Sequence, residues 1–580
     1  MKAILPLLLF FSLISCENKI EDTKTDFPTP FETSNKTETA TYEQVIDFYI
    51  KLAKEFSTIN IQTIGTTDSG KPLHVVTFSS KGDFDFKKLA MNNTMLLINN
   101  GIHPGESDGI DATMLLFRDL ASNEIKTPKE TIIATIPVYN VGGALNRNST
   151  TRANQNGPVE YGFRGNAKNY DLNRDFIKTD TKNTETFNKI FHLIDPDVFI
   201  DNHVSNGADY QYTLTHLFTQ HNKLGGKLGK YVHDDLMPQL QDSLLNNGWD
   251  ITPYVNVFNS PPENGFQQFL DNPRYSTGYT TLWNTVGMMV ETHMLKPYDQ
   301  RVAGTYQLML NMIAIAEKDG RKIKEMRNAA KNAFQQNDYY PTQWQVDTTK
   351  VSNFIFKGFK ADTLTSEITG FNRLKYNREV PIETEITYQD YFKASDSIQI
   401  PKAYVLGKQW HNVIKRLDLN KISYTELKQD STILVESYQI DDYSTYTSPY
   451  EGHYPHYNTS VNVTNITKEF KAGDIVIPVD QPGLRYIIET LEPNAVDSFF
   501  NWNFFDTILQ QKEGFSPYVF EDTALEMLKN DTILKSEFEN KKIEDLDFKN
   551  NWYLQLKWLF KHSKHYEEAY MQYPIYRITN

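Results

Sequence analysis

The sequence has one cysteine, no cluster of basic residues and no apolar run long enough to span a bilayer. A single cysteine in 580 residues excludes an intramolecular disulfide and a cysteine-rich zinc knuckle. The 59 Lys and Arg residues are outnumbered by 73 Asp and Glu residues, giving a net charge of −14. Without a basic patch, the chain is not expected to bind nucleic acid. Hydrophobic residues make up 39% of the chain and aromatic residues 13%, which is typical of a globular protein with an ordinary core.

The only cysteine stands at the end of an N-terminal segment that is typical of an export signal. Lys2 precedes an apolar stretch, residues 4–14, which is too short to cross a membrane. The segment ends Leu-Ile-Ser-Cys and resembles the lipobox of bacterial lipoproteins; a plain signal peptide with an incidental cysteine is the alternative. The resemblance implies a lipoprotein signal peptide over residues 1–16 and acylation of Cys16. The protein would then be extracytoplasmic and lipid-anchored to a bacterial membrane, in the periplasm or at the cell surface.

Composition divides the rest of the chain into three parts. Residues 17–40 are rich in Asn, Lys, Thr, Asp, Ser and Pro, which predicts a flexible tether. Residues 41–337, the N-terminal region, alternate apolar runs with helical patterns. Residues 338–580, the C-terminal region, carry short strand patterns in polar surroundings and some helices near the end. A stretch rich in Tyr, residues 443–457, is loop-like.

Strand and helix patterns alternate along the N-terminal region. The predicted buried strands cover residues 73–78, 95–98, 132–138, 198–200 and 287–290. The predicted helices cover residues 45–56, 110–120, 184–194, 224–245 and 300–334. This order predicts an α/β fold with a largely buried sheet, to which the C-terminal region adds a β-containing accessory part.

Two polar clusters follow predicted strands and contain residues that can bind a metal. His103 and Glu106 lie three residues apart in a Pro-Gly turn after the strand 95–98, and His203 follows the strand 198–200. Ligands of open α/β sheets bind beyond the carboxyl ends of the strands, so these side chains are candidates for one site. Two imidazoles and one carboxylate with an open position make a hydrolytic zinc site. Taken singly, each residue is equally explained as part of an ordinary loop.

Two further polar clusters contain residues suited to binding or acting on a substrate. Asn173 and Arg174 together offer hydrogen-bond donors that suit a carboxylate. Glu291 ends the predicted strand 287–290 and is a candidate for a half-buried general base with a raised pKa. The alternatives are a solvated turn for the first cluster and a strand-end salt bridge for the second.

Taken in order, His-x-x-Glu, Asn-Arg, His and a strand-terminal Glu resemble the M14 family of zinc carboxypeptidases. The resemblance covers about residues 41–335 and depends on order and strand-end placement, because each motif alone is weak. It implies a mixed central sheet flanked by helices, one Zn²⁺ per chain, and a peptide or peptide-like substrate with a free C-terminal carboxylate. Asn173 and Arg174 match the pair that grips that carboxylate.

The resemblance also implies roles for the metal-binding and catalytic residues. The zinc ligands would be His103, Glu106 and His203. Asp171 matches the carboxylate that orients the first of these histidines. Glu291 matches the catalytic glutamate, which takes a proton from the attacking water and returns it to the leaving amine.

Two roles of the family have more than one candidate in this chain. Arg152 is our choice for the arginine that stabilises the oxyanion, and Arg164 is its rival. Tyr279 is our choice for the tyrosine that closes over the substrate, and Tyr275 is the alternative.

The chain departs from the digestive members of the family at two positions beside the zinc ligands. Those members have Arg where this chain has Gly105, and Ser where it has Val204, which indicates a divergent bacterial branch. The leading hypothesis is a metallocarboxypeptidase. The alternatives are an amide hydrolase of the same fold that acts on non-peptide acylated amino acids, and a surface-binding lipoprotein without catalysis. The combination of metal ligands with Glu291 favours an enzyme.

Overall fold

Eight strands of the N-terminal region form one mixed sheet, in a computed structural model that describes residues 27–579. The strands are β1 (Ile59–Thr66), β2 (Pro72–Phe78), β3 (Thr94–Asn99), β4 (Thr131–Ile136), β5 (Val198–Ser205), β6 (Leu214–Phe218), β7 (Ile251–Pro253) and β9 (Val286–His293). Their order across the sheet is β1-β2-β4-β3-β5-β9-β6-β7. A short strand, β8 (Phe266–Gln267), pairs outside this sheet.

The middle of the sheet is parallel and buried. Strands β4, β3, β5 and β9 run parallel to one another, and every residue of β3 and β4 is buried. Continuous apolar runs are expected of strands that are covered on both faces, so the α/β prediction is confirmed. Strands β5 and β9 continue past their predicted ends and include His203 and Glu291.

Helices flank this sheet. They are α1 (Pro30–Thr33), α2 (Tyr42–Glu55), α3 (Phe86–Asn92), α4 (Asp108–Ala121), α5 (Val141–Leu145), α6 (Lys182–Ile194), α7 (His221–Leu224), α8 (Gly226–Tyr231), α9 (Met237–Asn246), α10 (Ser276–Thr281) and α11 (Tyr298–Lys331). The helix predicted over residues 224–245 is present from Gly226 to Asn246 and contains a π-helical turn at Val232–Leu236. It begins two residues later than predicted because the chain turns at Gly225, whose φ is +74°.

The flexible tether predicted over residues 17–40 is wrong for the part that the structure describes. Helix α1 begins with a capping box in which Thr29 and Glu32 accept each other's backbone N–H groups. Phe31 is buried in the core of the N-terminal region. Glu32 also forms an ion pair at 2.7 Å with Arg118, which is buried in α4. Apolar burial and this ion pair hold the segment against the sheet domain.

The N-terminal signal lies outside the described residues. This applies to the predicted signal peptide over residues 1–16, to Cys16 and to residues 17–26 of the predicted tether. Within residues 27–579, no helix combines the length and apolar character needed to cross a membrane.

The C-terminal region contains three sheets and a group of helices. Its strands are β10 (Tyr339–Val346), β11 (Ser352–Thr365), β12 (Asn372–Gln389), β13 (Phe392–Gln399), β14 (Ala403–Leu406), β15 (Thr425–Glu426), β16 (Ser431–Thr445), β17 (His456–Phe470), β18 (Ile475–Pro478) and β19 (Gln572–Ile578). Its helices are α12 (His411–Leu419), α13 (Leu484–Leu491), α14 (Pro517–Asn530), α15 (Thr532–Glu544), α16 (Leu546–Asn550) and α17 (Trp552–Lys561). The largest sheet has six strands in the order β15-β18-β14-β19-β16-β17. The predicted β-containing region with helices near its end is therefore present.

The contacts that join the N-terminal and C-terminal regions include a strand pairing and a buried ion pair. Strand β8 pairs in parallel with β12, with Phe266 opposite Tyr388. An ion pair of 2.8 Å links Arg274 to the fully buried Asp497. The predicted boundary at residue 337 falls between the end of α11 and the start of β10. Part of the C-terminal region is thus built directly onto loops of the N-terminal region.

Candidate metal centre

The carboxyl edge of the central sheet brings three potential metal ligands together. His103 and Glu106 lie in the turn after β3, and His203 lies on β5. One ligand atom from each of the three residues lies within 4.8 Å of the other two, and all three residues are buried. Glu291 on β9 is directly opposite His203 in the parallel register. We call His103, Glu106 and His203 the ligand cluster.

Both imidazoles are oriented by a carboxylate on the side away from the cluster. His103 Nε2 lies 2.8 Å from Asp171 Oδ1, and His203 Nε2 lies 2.9 Å from Asp201 Oδ2. The two Nδ1 atoms each lie 3.2 Å from Glu106 Oε2. His103 Nδ1 is buried and makes no hydrogen bond of suitable geometry, although it lies close to Glu106. A buried nitrogen without a hydrogen bond, beside a second imidazole and a carboxylate, fits a zinc site whose outer partners fix the ring orientation.

The charges in the cluster shift the pKa values of its buried groups. Burial alone would raise the pKa of Glu106, but His103 and Arg152 outweigh it and hold this pKa well below its usual range. Burial alone would lower the pKa of His203, because it disfavours the charged imidazole. The carboxylates of Asp201 and Glu106 outweigh burial and raise this pKa well above its ordinary value. Because a metal displaces protons from its ligands, binding to this cluster is expected to weaken at low pH.

Glu291 is half-buried and faces a cleft of about 290 Å³ that also includes the ligand cluster. Burial raises the pKa of Glu291 to about 8 against the opposing charge of His203, and Glu106 adds to the rise. A carboxyl group with a raised pKa, placed beside metal ligands in a cleft, has the properties of a proton-transfer group.

Both candidate arginines lie in the cleft and approach Glu106, but Arg164 lies closer to Asp171. Arg152 Nη1 donates to Glu106 Oε1 at 2.8 Å. Arg164 Nη2 lies 2.8 Å from Asp171 Oδ2, and its side chain is 46% exposed. A Cβ atom at Gly105 would lie 2.6 Å from Arg152 Cδ. The glycine therefore makes room for Arg152 beside the ligand cluster.

A second group of residues, Asn173, Arg174 and Tyr275, lines another part of the cleft, which we call the arginine corner. Asn173 lies in a short 3₁₀ turn, and its side-chain oxygen accepts the Ser276 N–H at 3.2 Å. The Arg174 guanidinium lies 4.6 Å from the centre of the Tyr275 ring. Arg174 is thereby held at the cleft with hydrogen-bond donors available to an anion.

Tyr279 is not in the cleft, so the preference for Tyr279 over Tyr275 is wrong. Tyr279 is fully buried, and its hydroxyl donates to Asn420 Oδ1 at 2.6 Å. Its ring packs edge-on against Phe191, with 5.5 Å between the ring centres. Tyr275 immediately precedes α10 on the cleft side, whereas Tyr279 lies one turn further into the helix and packs into the core.

The structure places two further residues at the site to which the sequence interpretation gave no role. Asp201 orients His203 and also accepts a hydrogen bond of 2.5 Å from the Ser276 hydroxyl. Its sequence signal is the two-residue spacing from His203, which puts both side chains on one face of a strand. Tyr254 lines the cleft, and burial together with Glu291 raises its pKa. The sequence around Tyr254 gives no comparable signal.

Most of the other predicted site residues line the same cleft. Those that line the cleft are His103, Glu106, Arg152, Asn173, Arg174, His203 and Glu291, together with the alternatives Arg164 and Tyr275. Asp171 is in contact with His103 as expected. Burial would raise the pKa of Asp171, but His103 and the nearby arginines outweigh it and hold it well below its usual range.

Residues 45–197 match the zinc carboxypeptidase family model, Peptidase_M14. The matched segment contains His103, Glu106, Asn173 and Arg174, and it ends before His203. The family match therefore covers the first two members of the ligand cluster and the arginine pair. It does not extend to the third ligand or to the strand that carries the half-buried glutamate.

Several solved structures are similar to this chain. A metallo-carboxypeptidase from Burkholderia cenocepacia is 13% identical, with 49% of this chain and 70% of that chain covered at a TM-score of 0.36. A metallo-carboxypeptidase from Pseudomonas aeruginosa, in complex with (2-guanidinoethylmercapto)succinic acid, is also 13% identical. The alignment covers 49% of this chain and 70% of that chain, with a TM-score of 0.37. Carboxypeptidase A from Helicoverpa armigera is 14% identical, with 51% of this chain and 74% of that chain covered at a TM-score of 0.36. No curated protein matches the chain.

Proposed function

We propose that the chain is a zinc-dependent metallocarboxypeptidase that removes residues from the C-terminus of peptides. The observation that supports this most directly is the convergence of His103, Glu106 and His203 at one end of a cleft that also contains Glu291 and Arg174. Two imidazoles and one carboxylate leave a fourth coordination position open, as catalytic zinc sites do.

Zinc would be held by His103, Glu106 and His203, and when bound it supplies Lewis-acid activation of a water molecule and of the scissile carbonyl. Glu291 holds the proton that leaves the attacking water and passes it to the leaving nitrogen, because it is the half-buried carboxyl group next to the cluster. Asp171 and Asp201 keep both imidazoles in the tautomer that presents Nδ1 to the cleft.

The two ends of the cleft then fix how a peptide binds. Arg152 beside Glu106 is our proposal for the donor that stabilises the oxyanion, and the more exposed Arg164 remains its rival. Asn173 and Arg174 would bind the terminal carboxylate. Anchoring the end of the chain makes cleavage an exopeptidase event, since the scissile bond is held at a fixed distance from the gripped carboxylate.

An apolar part of the cleft wall indicates the preferred terminal side chain. Leu217 on β6 and Met289 on β9 are register partners, and Met289 lies two residues before Glu291, on the same strand face. Phe269 packs edge-on against Tyr275, with 5.0 Å between the ring centres. Apolar and aromatic walls favour apolar ligands, so we propose that an apolar C-terminal residue is preferred over a charged one.

The test combines metal analysis with a peptide-library digest. Protein that begins at residue 17, purified without chelators, is expected to contain about one zinc per chain. Mass spectrometry of the digest is expected to show loss of single C-terminal residues, apolar residues first, and no cleavage of peptides with an amidated C-terminus. Absence of zinc or cleavage at internal bonds would contradict the proposal. If the protein hydrolysed acylated amino acids but not peptides, the alternative of an amide hydrolase with the same fold would be correct.

We also propose that the enzyme is an extracytoplasmic lipoprotein acylated at Cys16, on the strength of the Leu-Ile-Ser-Cys segment. Bacteria that express the chain and are fed labelled fatty acid are expected to incorporate label into the protein. The variant Cys16→Ala should lose both the label and membrane association. Equal labelling of the two proteins would exclude Cys16 as the site.

A further inference from the structure

The C-terminal region contacts the chain segment that carries Asp171, Asn173 and Arg174. The contact is made by the turn between β16 and β17, residues 450–453, which is closed by hydrogen bonds between Tyr450 and His453. The stretch 443–457, which the sequence indicates to be a loop, is thus mostly the end of a hairpin. Its tip faces the chain's own N-terminal region, at a sequence separation of about 280 residues.

Three residues of the turn meet the segment 170–180 directly. Glu451 Oε2 accepts the backbone N–H of Asp171 at 2.8 Å. His453 Nε2 lies 2.7 Å from Asp180 Oδ2. At Gly452, a Cβ atom would lie 2.7 Å from the hydroxyl oxygen of Tyr170, so only glycine permits this close approach.

The backbone of the turn is held in an uncommon conformation. Glu451 has a φ of +50° and Gly452 has a φ of +79°, as in the type I′ turns that close two-residue hairpins. Asn, Asp and Gly favour this region of φ, and glutamate does not. A glutamate nevertheless occupies this position, and its side chain makes the contact with Asp171. Strain of this kind is concentrated at functional sites.

Tyr450 connects the turn to the arginine corner. Its ring stacks on Trp502 with an interplanar angle of 19°, and Trp502 is fully buried. Burial opposes the charge on Arg174, and Asp171, Tyr275 and Tyr450 together raise the pKa of Arg174. Arg174 therefore lies against Tyr275 of the N-terminal region, and Tyr450 of the C-terminal region is among the groups that stabilise its charge.

We propose that the turn 450–453 is part of the substrate site, with Tyr450 and Glu451 as positioning residues that hold Arg174 and the Asp171 segment ready for a terminal carboxylate. This inference rests on the proposed carboxypeptidase function. It assigns the C-terminal region a direct role in recognising free C-termini. Its residues are distinct from the metal ligands and from the proton-transfer group.

The test measures binding of a free acid against binding of its amide, using the full chain. In the non-hydrolysing background Glu291→Gln, calorimetry gives the Kd of Ala-Ala-Phe and of Ala-Ala-Phe amide. Tyr450→Phe is expected to weaken binding of the acid about fivefold and to leave the amide unchanged, because only the acid uses Arg174. Glu451→Ala should act in the same direction, and Glu451→Gln should restore acid binding, since its amide oxygen can accept the Asp171 N–H.

Tyr446→Phe is the matched control, because Tyr446 lies in the same hairpin and its ring contacts Tyr450 and Tyr457. It is expected to leave both Kd values within twofold. With Glu291 restored, Tyr450→Phe should raise KM for the acid and change kcat less than twofold. A preference for the acid that Tyr450→Phe and Glu451→Ala leave intact would overturn this inference alone. A parent chain that neither prefers the acid nor hydrolyses peptides would overturn the inference and the proposed function together.

Discussion

The ligand cluster and the arginine corner lie in one cleft but are built in different ways. The cluster is placed by β5 and by the turn after β3, two elements of a buried parallel sheet, and its three side chains are 3–4% exposed. The arginine corner lies on a 3₁₀ turn and on the residue before α10, and it is contacted by a hairpin from the C-terminal region. The difference suggests that the sheet fixes the reaction geometry, whereas contacts between regions fix what is bound.

The strongest test of this division is Glu291→Gln. The proposed proton transfer would be lost while the ligand cluster stays intact, so kcat should fall by about a thousandfold or more. Zinc content, measured by elemental analysis, should remain at the parent value. Full activity in this variant would remove Glu291 from catalysis, and loss of zinc would show that the residue supports the cluster instead.

Arg174→Met should affect the other end of the cleft. Without the guanidinium, KM for a peptide with a free C-terminus should rise about a hundredfold, while the weak binding of the amidated peptide should not change. Steady-state kinetics with the free acid as substrate, and with the amide as a competitive inhibitor of that reaction, measures this difference. Lys168→Met is the control, since Lys168 pairs with Asp68 at 3.0 Å and is 56% exposed. Equal loss for acid and amide would mean that Arg174 does not bind the carboxylate.

Asp201→Asn should weaken metal binding. Asparagine cannot hold His203 in the same way, and loss of such an outer partner costs about tenfold or more in metal affinity. Competition with a zinc chelator gives the affinity, with Asp250→Asn as the control because it alters only an ion pair to Lys357. An unchanged zinc affinity would show that β5 alone orients the imidazole.

The smallest effect is expected from Tyr279→Phe. The change removes a hydrogen bond to Asn420 in the core, so the free energy of unfolding should fall by about 1 kcal/mol. The value of kcat/KM should stay within twofold of the parent, as measured after denaturant melts have shown the variant to be folded. If Tyr279→Phe lowered kcat/KM tenfold and Tyr275→Phe did not, the assignment of the cleft tyrosine would be reversed.

The sequence is informative where burial dictates the pattern. Strands that are covered on both faces are apolar throughout, so the polar residues at their ends stand out, and this contrast marks His203 and Glu291 as candidates. His103 and Glu106 lie in a turn directly after such a strand. The α/β sheet and the composition of the ligand cluster could therefore be predicted without coordinates.

Loops and contacts between distant segments could not be predicted in this way. Tyr275 and Tyr279 are four residues apart, and only the start of α10 between them decides which one faces the cleft. Residues 27–40 have a polar composition, yet Phe31 and the ion pair of Glu32 with Arg118 hold them against the domain. The contact of Glu451 with Asp171 has no local signal, because it depends on how two regions pack.

The position of β19 makes the six-stranded sheet depend on a strand that begins at Gln572, far beyond the end of β18 at Pro478. This strand lies between β14 and β16, and its Arg577 forms ion pairs with Glu436 at 2.6 Å and with Glu492 at 3.1 Å. A cut between the end of β17 and the start of β19 that released β19 would divide the six-stranded sheet. Strands β16 and β17 would then lose their connection to β14. Loss of β19 would then disturb the hairpin that contacts Asp171, while the metal ligands themselves remained untouched.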